Sequence, residues 1–309
     1  MNKAEAMVHR RRRVAVAACR SGDGDPTGIY PDEDWPFLQA ALDDAGIDAT
    51  QLPWDTSGTD WGSFDLVVIS STWDSVDRPQ EYLAWARATA RLTSLLNPVS
   101  VIEWNLDKLY LRRLQHRGVP VVPTQWVRRE ADWTLPAYEF VVKPSVSAGG
   151  RMTARYTAED DRSATEHVLR LLASGKTVMV QPFLPSVDTE GETKVVFIGG
   201  LFRHAFQVGP LLEPGAGVLE RPWEKPVSLA PATPTPAQVR AARAVLAAVH
   251  AEVATELLYA RVDLVAASDG QPLVGEVELI DPALMLRLAP TSAEFLAEAI
   301  RAQAGAVTT

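Results

Sequence analysis

Cysteine is nearly absent from this chain. Cys19 stands alone in 309 residues, so neither a disulfide framework nor a cysteine-based zinc site can form. Lysine is scarce as well: Lys3, Lys108, Lys143, Lys176, Lys194 and Lys225 are the whole set in a chain that otherwise favours arginine. The formal charge of −9 and pI near 5.1 argue against a general nucleic-acid binder. No apolar run approaches membrane-spanning length. The basic run Arg10 to Arg13 before Val14-Ala-Val-Ala-Ala18 has the outline of a signal peptide. Its apolar part is too short, and Arg20, Asp23 and Asp25 follow at once, so these arginines are expected to open the first strand of a cytoplasmic protein. The pattern G-x-x-x-x-G-K-[ST] is missing, which excludes a P-loop. Gly22-Asp-Gly24-Asp-Pro-Thr-Gly28 has the wrong spacing for a dinucleotide loop, and its aspartates would repel a pyrophosphate. At 47% hydrophobic and 22% charged, the chain is an ordinary globular one, long enough for two or three domains.

Near the C-terminus, two alternating apolar segments carry three acids: Tyr259-Ala-Arg261-Val-Asp263-Leu-Val-Ala266 and Pro272-Leu-Val-Gly-Glu276-Val-Glu278-Leu-Ile280. Asp269-Gly270 between them is a hairpin signal. A two-residue turn there sets Asp263 opposite Glu276 and Arg261 opposite Glu278, all on one face. Facing carboxylates repel unless a cation joins them, and oxygen donors suit Mg²⁺. A solvated acidic sheet face is the competing reading of the hairpin taken alone.

Upstream, strand and helix patterns alternate. Val14–Ala18 and Leu66–Ser70 read as strands, Asp34–Ala45 and Pro79–Thr93 as helices, and Leu95 to Pro98 closes a small parallel-sheet unit. A helix over Leu106–Arg117 ends at Gly118, the strand Phe140–Pro144 follows, then a helix over Ala158–Ala173 and the strand Thr177–Gln181. Beyond an acidic loop come strands Thr193–Ile198 and Leu201–Val208 and the Pro-rich stretch Pro222–Pro236. The long helix Pro236–Thr255, the acid-bearing hairpin and a helix over Ala293–Ala302 finish the chain. Lys143 leaves a strand into Pro-Ser145-Val-Ser147-Ala-Gly149-Gly150-Arg151. An ammonium there can neutralise a phosphate while small residues let backbone N–H groups approach its oxygens, although a plain surface turn has the same composition. Retaining lysine at Lys108 and Lys143 in an arginine-using chain suggests that a compact ammonium is needed.

The order of these pieces resembles the ATP-grasp superfamily of ATP-dependent carboxylate ligases. The resemblance spans Asn105 to about Arg287. It rests on Trp104-Asn-Leu-Asp-Lys108, on Val141-Val-Lys143-Pro144 with its Ser/Gly loop, and on the hinge strand Val178-Met-Val-Gln181-Pro-Phe183-Leu184. Arg261-Val-Asp263 and Glu276-Val-Glu278 complete it. Ser71-Thr-Trp73-Asp74, Leu83-Ala-Trp85, Leu96-Asn-Pro98, Val101-Ile-Glu-Trp104-Asn105 and Phe202-Arg203-His204-Ala205 look like the narrower O-ureido-serine cyclo-ligase group, which makes the cycloserine ring. The chain departs from that group where an arginine is expected near Ser70, a tyrosine near Ser75, and a basic residue at Val208 or Gly209.

The resemblance implies an α/β and α+β fold: a Rossmann-like domain over 1–103, a central subdomain over 104–182 and a C-terminal one over 183–309, the last two clasping ATP. It implies that Lys108 and Lys143 contact the phosphates and that Ser145, Ser147, Gly149 and Gly150 cover them as a mobile loop. Gln181 and the backbone of Phe183 and Leu184 would hold adenine, and Asp188 the ribose. Asp263, Glu276 and Glu278 would hold Mg²⁺, with Arg261 steadying the transferring phosphoryl group. The implied reaction turns a small amino-acid-like carboxylate into an acylphosphate, which an amine then attacks, releasing ADP and phosphate. Natural-product biosynthesis is the expected setting, cycloserine ring closure a narrower alternative, and a phosphotransferase without a second nucleophile a third. Substrate contacts are expected from Trp73, Asp74 and Arg78 past the second strand, from Lys194 and His204 on the middle hairpin, and from Arg287. His204 is a candidate base, and a structural histidine is its competing reading; Asp74 as a helix cap and Arg78 as a solvated helix residue are theirs. Trp35, Trp54, Trp61, Trp85, Trp126 and Trp133 read as packing residues. The expected partners are small molecules, and the residues leave homo-oligomerisation open.

Overall fold

The computed structural model describes residues 11–21, 29–220 and 227–306. The Gly22–Gly28 loop, Arg10, Lys3, Lys225 and the start of the Pro-rich connector lie outside them. The first sheet takes its parallel strands in the order β2-β1-β3-β4: β1 (Arg12–Ala18), β2 (Ile47–Pro53), β3 (Leu66–Ser71) and β4 (Ser94–Leu96). Parallel strands are covered on both faces and so read as unbroken apolar runs. Val14, Val16, Leu66 and Val68 pack with Leu38 and Leu42 of α1 (Trp35–Asp44). Ala15, Ala17, Val67 and Ile69 pack with Tyr82 and Ala86 of α2 (Pro79–Thr89) and with Trp54 and Trp61. Trp35, Trp126 and Trp133 pack half-buried on the cores, so the tryptophans are packing residues as expected. The sequence reading lacks β2, because Ile-Asp-Ala-Thr-Gln-Leu-Pro is an edge strand with polar residues along it.

The helix expected over Leu106–Arg117 is present but starts later, as α4 (Tyr110–His116), and a separate α3 (Val99–Asn105), which the sequence reading lacks, ends just before it. The break is local chemistry. The Asp107 carboxylate accepts from the Leu109 N–H at 3.0 Å and restarts the helix. Lys108 therefore sits on a turn, where its backbone N–H donates to Ser145 O at 2.9 Å. The central sheet is antiparallel, order β5-β8-β6-β7, from β5 (Gln125–Val127), β6 (Phe140–Pro144), β7 (Ala154–Tyr156) and β8 (Val178–Pro182). One face, with Phe140, Val142, Ala154 and Val180, is covered by Ala164, Val168 and Leu171 of α5 (Asp161–Ala173). Val141 is paired with both Arg155 and Gln181, so these three share the opposite face with Lys143.

After the short α6 (Ser186–Thr189) comes the third sheet, order β11-β10-β9-β12-β13: β9 (Glu192–Ile198), β10 (Leu201–Val208), β11 (Leu229–Ala232), β12 (Tyr259–Ala266) and β13 (Pro272–Glu278). Within the Pro-rich stretch, β11 is an edge strand, the position in a sheet that tolerates Pro231. Helix α7 (Pro236–Val253) begins with a capping box between Thr235 and Gln238 and packs, together with α3 and α4, over β12 and β13. The last helix, α8 (Thr291–Ala306), crosses back to pack on α1 and the first sheet. No helix among the described residues is long and apolar enough to cross a membrane.

Buried polar side chains fix the ends of β12 and β13. Asn97 donates to Tyr259 O at 3.0 Å and Leu279 O at 2.6 Å and accepts from the Leu258 N–H at 2.7 Å. Asn105 bonds Val277 O and the Leu279 N–H, and the Tyr110 hydroxyl bonds both backbone groups of Val277. Asp34 does not cap its own helix. Its carboxylate accepts from the N–H groups of Leu284, Met285 and Leu286 at 2.6, 3.1 and 2.6 Å, which fixes the loop after β13. Burial pushes this carboxyl up to about 6 in spite of those bonds. At pH 7.5, where it is ionised, Asp34→Ala is expected to lower unfolding stability by about 3 kcal/mol, since three buried donors lose a charged acceptor. Urea titration of variant and parent checks this.

Candidate active site

The hairpin pairs Arg261 with Glu278 and Asp263 with Glu276, as expected, but two offsets cancel to give that result. Asp269 and Gly270 are not a two-residue turn. The Ala267 N–H donates to Gln271 O, so Ser268, Asp269 and Gly270 form a three-residue loop. A register shift between Asp263 and Leu264, opposite Gly275, then restores the pairing. Carboxylate oxygens of Asp263, Glu276 and Glu278 lie within 4.8 Å of one another. Arg261 donates to Asp263 at 2.8 and 3.0 Å, to Glu278 at 2.5 Å and to Ala283 O at 3.0 Å. Lys194 pairs with Asp263 at 2.7 Å and Glu192 at 2.5 Å.

The electrostatics sort the three acids. Burial disfavours the Asp263 carboxylate, but Arg261 and Lys194 outweigh it and hold the group at about 2. Burial likewise opposes Glu276, which Lys108 and Lys143 bring below the usual carboxylate range. Glu278 goes the other way. Burial, reinforced by Asp263 and Glu276, pushes it up to about 8 even though Arg261 is in contact. An acid held up by neighbouring carboxylates is one whose ionised form a divalent cation would favour. Hard, convergent oxygen donors of this kind fit Mg²⁺.

Lys108 joins the acids to the Ser/Gly loop. Its ammonium lies 3.0 Å from Glu276 and donates to Ser147 O at 2.6 Å. Lys143 makes no ion pair among the described residues; burial lowers its pKa, Lys108 and Lys194 add to that, and Glu276 and Glu192 oppose it. Ser145 is the fixed foot of the loop, since its N–H donates to Thr177 O at 2.9 Å and its O accepts from Lys108 N. Gly149 and Gly150 have φ of +59° and +80°. Arg151 reaches from the loop to Asp77 of the first unit, with two contacts at 2.7 Å. A Cβ on Gly150 would lie 2.6 Å from the Leu211 side chain, which can swing aside; the left-handed φ cannot be relieved in that way. Gly150→Ala is expected to raise KM for ATP about five- to thirtyfold, the equivalent of about 1–2 kcal/mol of backbone strain, with thermal stability nearly unchanged. Steady-state kinetics and a melting curve check both parts.

At the hinge, the Gln181 amide donates to Thr124 at 2.9 Å, and the Phe183 N–H donates to Glu139 O at 2.8 Å. Of the expected backbone contacts, the Phe183 N–H is therefore taken, while Phe183 O and the Leu184 N–H remain among the described residues. Asp188 is also engaged, by both oxygens, with Arg155 at 3.0 and 2.8 Å.

The expected substrate residues divide. Lys194 belongs to the acid cluster and is held by it. Trp73 donates to Asp281 O at 2.9 Å, and Thr72 donates to the Asp281 carboxylate at 3.2 Å, so the loop after the second expected strand meets the loop after β13. Asp74 caps no helix; it accepts from Trp54 at 2.8 Å and pairs with Arg78 at 2.6 Å. Arg78 also pairs with Asp55 at 3.0 Å and lies over the Trp54 ring, so it is not simply solvated. Two of the expected residues have partners of their own. His204 cannot serve as the free base, because Nε2 faces Leu284 O at 2.7 Å and Nδ1 faces the Ser292 hydroxyl at 2.8 Å. A carbonyl only accepts, so Nε2 carries the proton and Nδ1 takes the serine's. Arg287 pairs at the surface with Glu33 at 2.9 Å instead of being turned free toward a carboxylate. The sequence reading also lacked Glu192, Arg155, Glu139 and Asp281. Glu192 and Lys194 alternate on β9 beside Asp263, a clue available only once β9 is known to neighbour β12.

Fold and site together define an ATP-grasp ligase, an ATP-dependent enzyme. The comparisons agree. A family model described as the N-terminal domain of D-cycloserine synthetase DcsG matches residues 14–97. The cycloserine biosynthesis protein DcsG of Streptomyces lavendulae is 34% identical over 286 residues, covering 89% of this chain and 95% of that protein. The crystal structure of D-cycloserine synthetase DcsG superposes with a TM-score of 0.84 at 32% identity, over 96% of this chain and 100% of the other. D-alanine–D-alanine ligase from Bacillus anthracis complexed with ATP shares the fold, with a TM-score of 0.64 at 15% identity over 96% of this chain and 98% of its own. The chain belongs to the DcsG family.

Proposed function

We propose that ATP lies between the central and third sheets and that the chain uses it to activate a small amino-acid-like carboxylate for attack by nitrogen. The observation that carries this reading is the bridge from Lys108 to both Ser147 O and Glu276, which ties the phosphate loop to the acid cluster. Lys108 and Lys143 would neutralise the phosphates, and Phe183 O and the Leu184 N–H would meet the adenine edge. Asp263, Glu276 and Glu278 would hold Mg²⁺, which supplies charge neutralisation at the β- and γ-phosphates. A substrate carboxylate oxygen attacks the γ-phosphorus and the bond to the ADP oxygen breaks, leaving an acylphosphate. Nitrogen then adds to the acyl carbon, the carbon–oxygen bond to phosphate breaks, and phosphate leaves. Arg261 would steady charge on the moving phosphoryl group, a role typically worth about 3 kcal/mol. The units over 1–103, 104–182 and 183–309 would act as substrate wall, nucleotide cover and metal platform.

Family membership favours the intramolecular version in an antibiotic pathway, in which the oxygen-bound ureido nitrogen of O-ureido-serine attacks the acylphosphate carbon to close the ring, phosphate leaves, and water removes the carbamoyl group as carbon dioxide and ammonia to give cycloserine. At one of the positions where the chain departs from that group, Ser70 hydrogen-bonds Asp32 at 3.4 Å in place of presenting an arginine. The test is incubation with O-ureido-serine, ATP and Mg²⁺, with mass detection of the ring product and of ADP. Hydroxylamine added during turnover should yield a hydroxamate. ADP release with a stable phosphorylated product and no hydroxamate would instead mark a phosphotransferase.

A further inference from the structure

We propose that Asp281 grips the amino group of the substrate, so that the chain selects carboxylates with an ammonium on the neighbouring carbon; this rests on the O-ureido-serine reading above. Asp281 stands three residues beyond Glu278, where the loop after β13 meets the loop after β3. Its carboxylate is held from behind. The hydroxyls of Thr72 and Tyr82, both fully buried residues, are 2.9 Å apart, and Thr72 donates to Oδ2 of Asp281 at 3.2 Å. A carboxylate accepts only, so Thr72 gives its proton to Asp281 and takes that of Tyr82. Oδ1 accepts no hydrogen bond, and Asp281 has no ion pair, among the described residues.

The charge balance of this wall sets what Asp281 can bind. Asp55 is matched by Arg20 at 3.1 Å and Asp74 by Arg78 at 2.6 Å, which leaves Asp281 unmatched beside them. Burial pushes its carboxyl up to about 6, Asp74 adds to this, and Thr72, Lys108 and Arg261 oppose it. Near neutral pH it is therefore a partly buried anion with one bare oxygen, a costly arrangement until a cation meets it. A phosphate or a second carboxylate is repelled, and a ureido group offers only neutral donors; an ammonium supplies both charge and N–H groups. The loop fixes where that ammonium lies. Trp73 donates to Asp281 O at 2.9 Å, Arg261 to Ala283 O at 3.0 Å, and Asp34 accepts from the next three N–H groups. Arg261 thus touches both the acid cluster and this loop. In an α-amino acid the ammonium and the carboxylate share one carbon, so gripping the first orients the second for attack on the γ-phosphorus.

Turnover of O-ureido-serine and of 3-(ureidooxy)propanoate, the same compound without its amino group, tests this on the full chain with ATP and Mg²⁺. Both compounds carry the carboxylate, and ADP release with hydroxylamine present reads its activation. The parent should show a kcat/KM about ten- to a hundredfold higher for O-ureido-serine, the effect of one hydrogen bond between charged groups. Asp281→Asn keeps the shape of the side chain and an acceptor for Thr72, and should bring that ratio down to about twofold. Asp281→Ala removes the same charge by truncation; melting curves accompany both variants, and either folded one suffices. A parent that takes both compounds equally, or a folded variant that keeps the parent's ratio, overturns the proposal and leaves the O-ureido-serine reading standing. A parent that releases ADP with neither compound removes both.

Discussion

Glu276→Gln is expected to lower kcat/KM by about 10²–10³ while leaving the melting temperature close to that of the parent. The two effects separate because Glu276 is 28% exposed and has Lys108 as its ion-pair partner. Its loss removes one anionic oxygen donor from the cluster, while the buried Lys108 ammonium keeps Ser147 O and can keep the glutamine amide oxygen as acceptors. Asp263→Asn should fail in both respects. Asp263 is only 3% exposed and lies between Arg261 and Lys194, so neutralising it leaves two buried cations without their shared counter-charge. Breaking a buried pair in this way typically costs about 3–5 kcal/mol. The pH dependence gives a second handle. The folded-state pKa of Asp263 is about 2, below the ordinary 3.8, so its contribution to stability is fully present above about pH 4 and is lost as pH falls through 2. The stability gap between parent and Asp263→Asn should therefore be widest near neutrality and narrow in strong acid. Paired kinetics and thermal melts over pH 2.5–7.5 would show it. A Glu276→Gln variant that turns over at the parental rate would remove the metal assignment.

Lys143→Met is expected to raise KM for ATP and lower kcat, a combined loss of about 10²–10³ in kcat/KM. Lys143 projects from the nucleotide face of β6 with no ion-pair partner among the described residues, and burial lowers its pKa. Its charge is thus the part of the site held ready for a phosphate. Removing it should not destabilise the fold, because no partner is left behind. Lys143→Arg should restore little of the activity. A planar fork cannot occupy the space of a compact ammonium beside Lys108 and Lys194, which already lower the pKa of the lysine there. Initial rates over a range of ATP concentrations, with thermal melts of each variant, distinguish a phosphate-binding lysine from a packing one. Parental kinetics in Lys143→Met would remove Lys143 from the site.

Local chemistry alone determined a good deal of this protein. The runs Val14–Ala18 and Leu66–Ser70 read as buried parallel strands because covered strands are apolar throughout. The order of lysine, Ser/Gly loop, hinge and acid pair marked an ATP-grasp ligase because each motif's residue types match a charge or backbone requirement. Where the reading fell short, the cause was either a strand's place in its sheet or a single local side-chain or turn detail. β2 and β11 are edge strands whose composition resembles loop. The helix break before α4 depends on one aspartate side chain. The acid pair came out in register although the turn was wrong, because a bulge opposite Gly275 cancelled the extra loop residue.

Tertiary structure alone decided which titratable groups are free. Residue identity named His204, Arg287 and Asp188 as candidates, but the structure saturates both nitrogens of His204, turns Arg287 to Glu33 and gives both oxygens of Asp188 to Arg155. Partners more than 30 residues away make those assignments, and sequence spacing carries no information about them. A side chain's chemical type is a local property, whereas its availability depends on what the fold brings within hydrogen-bond distance.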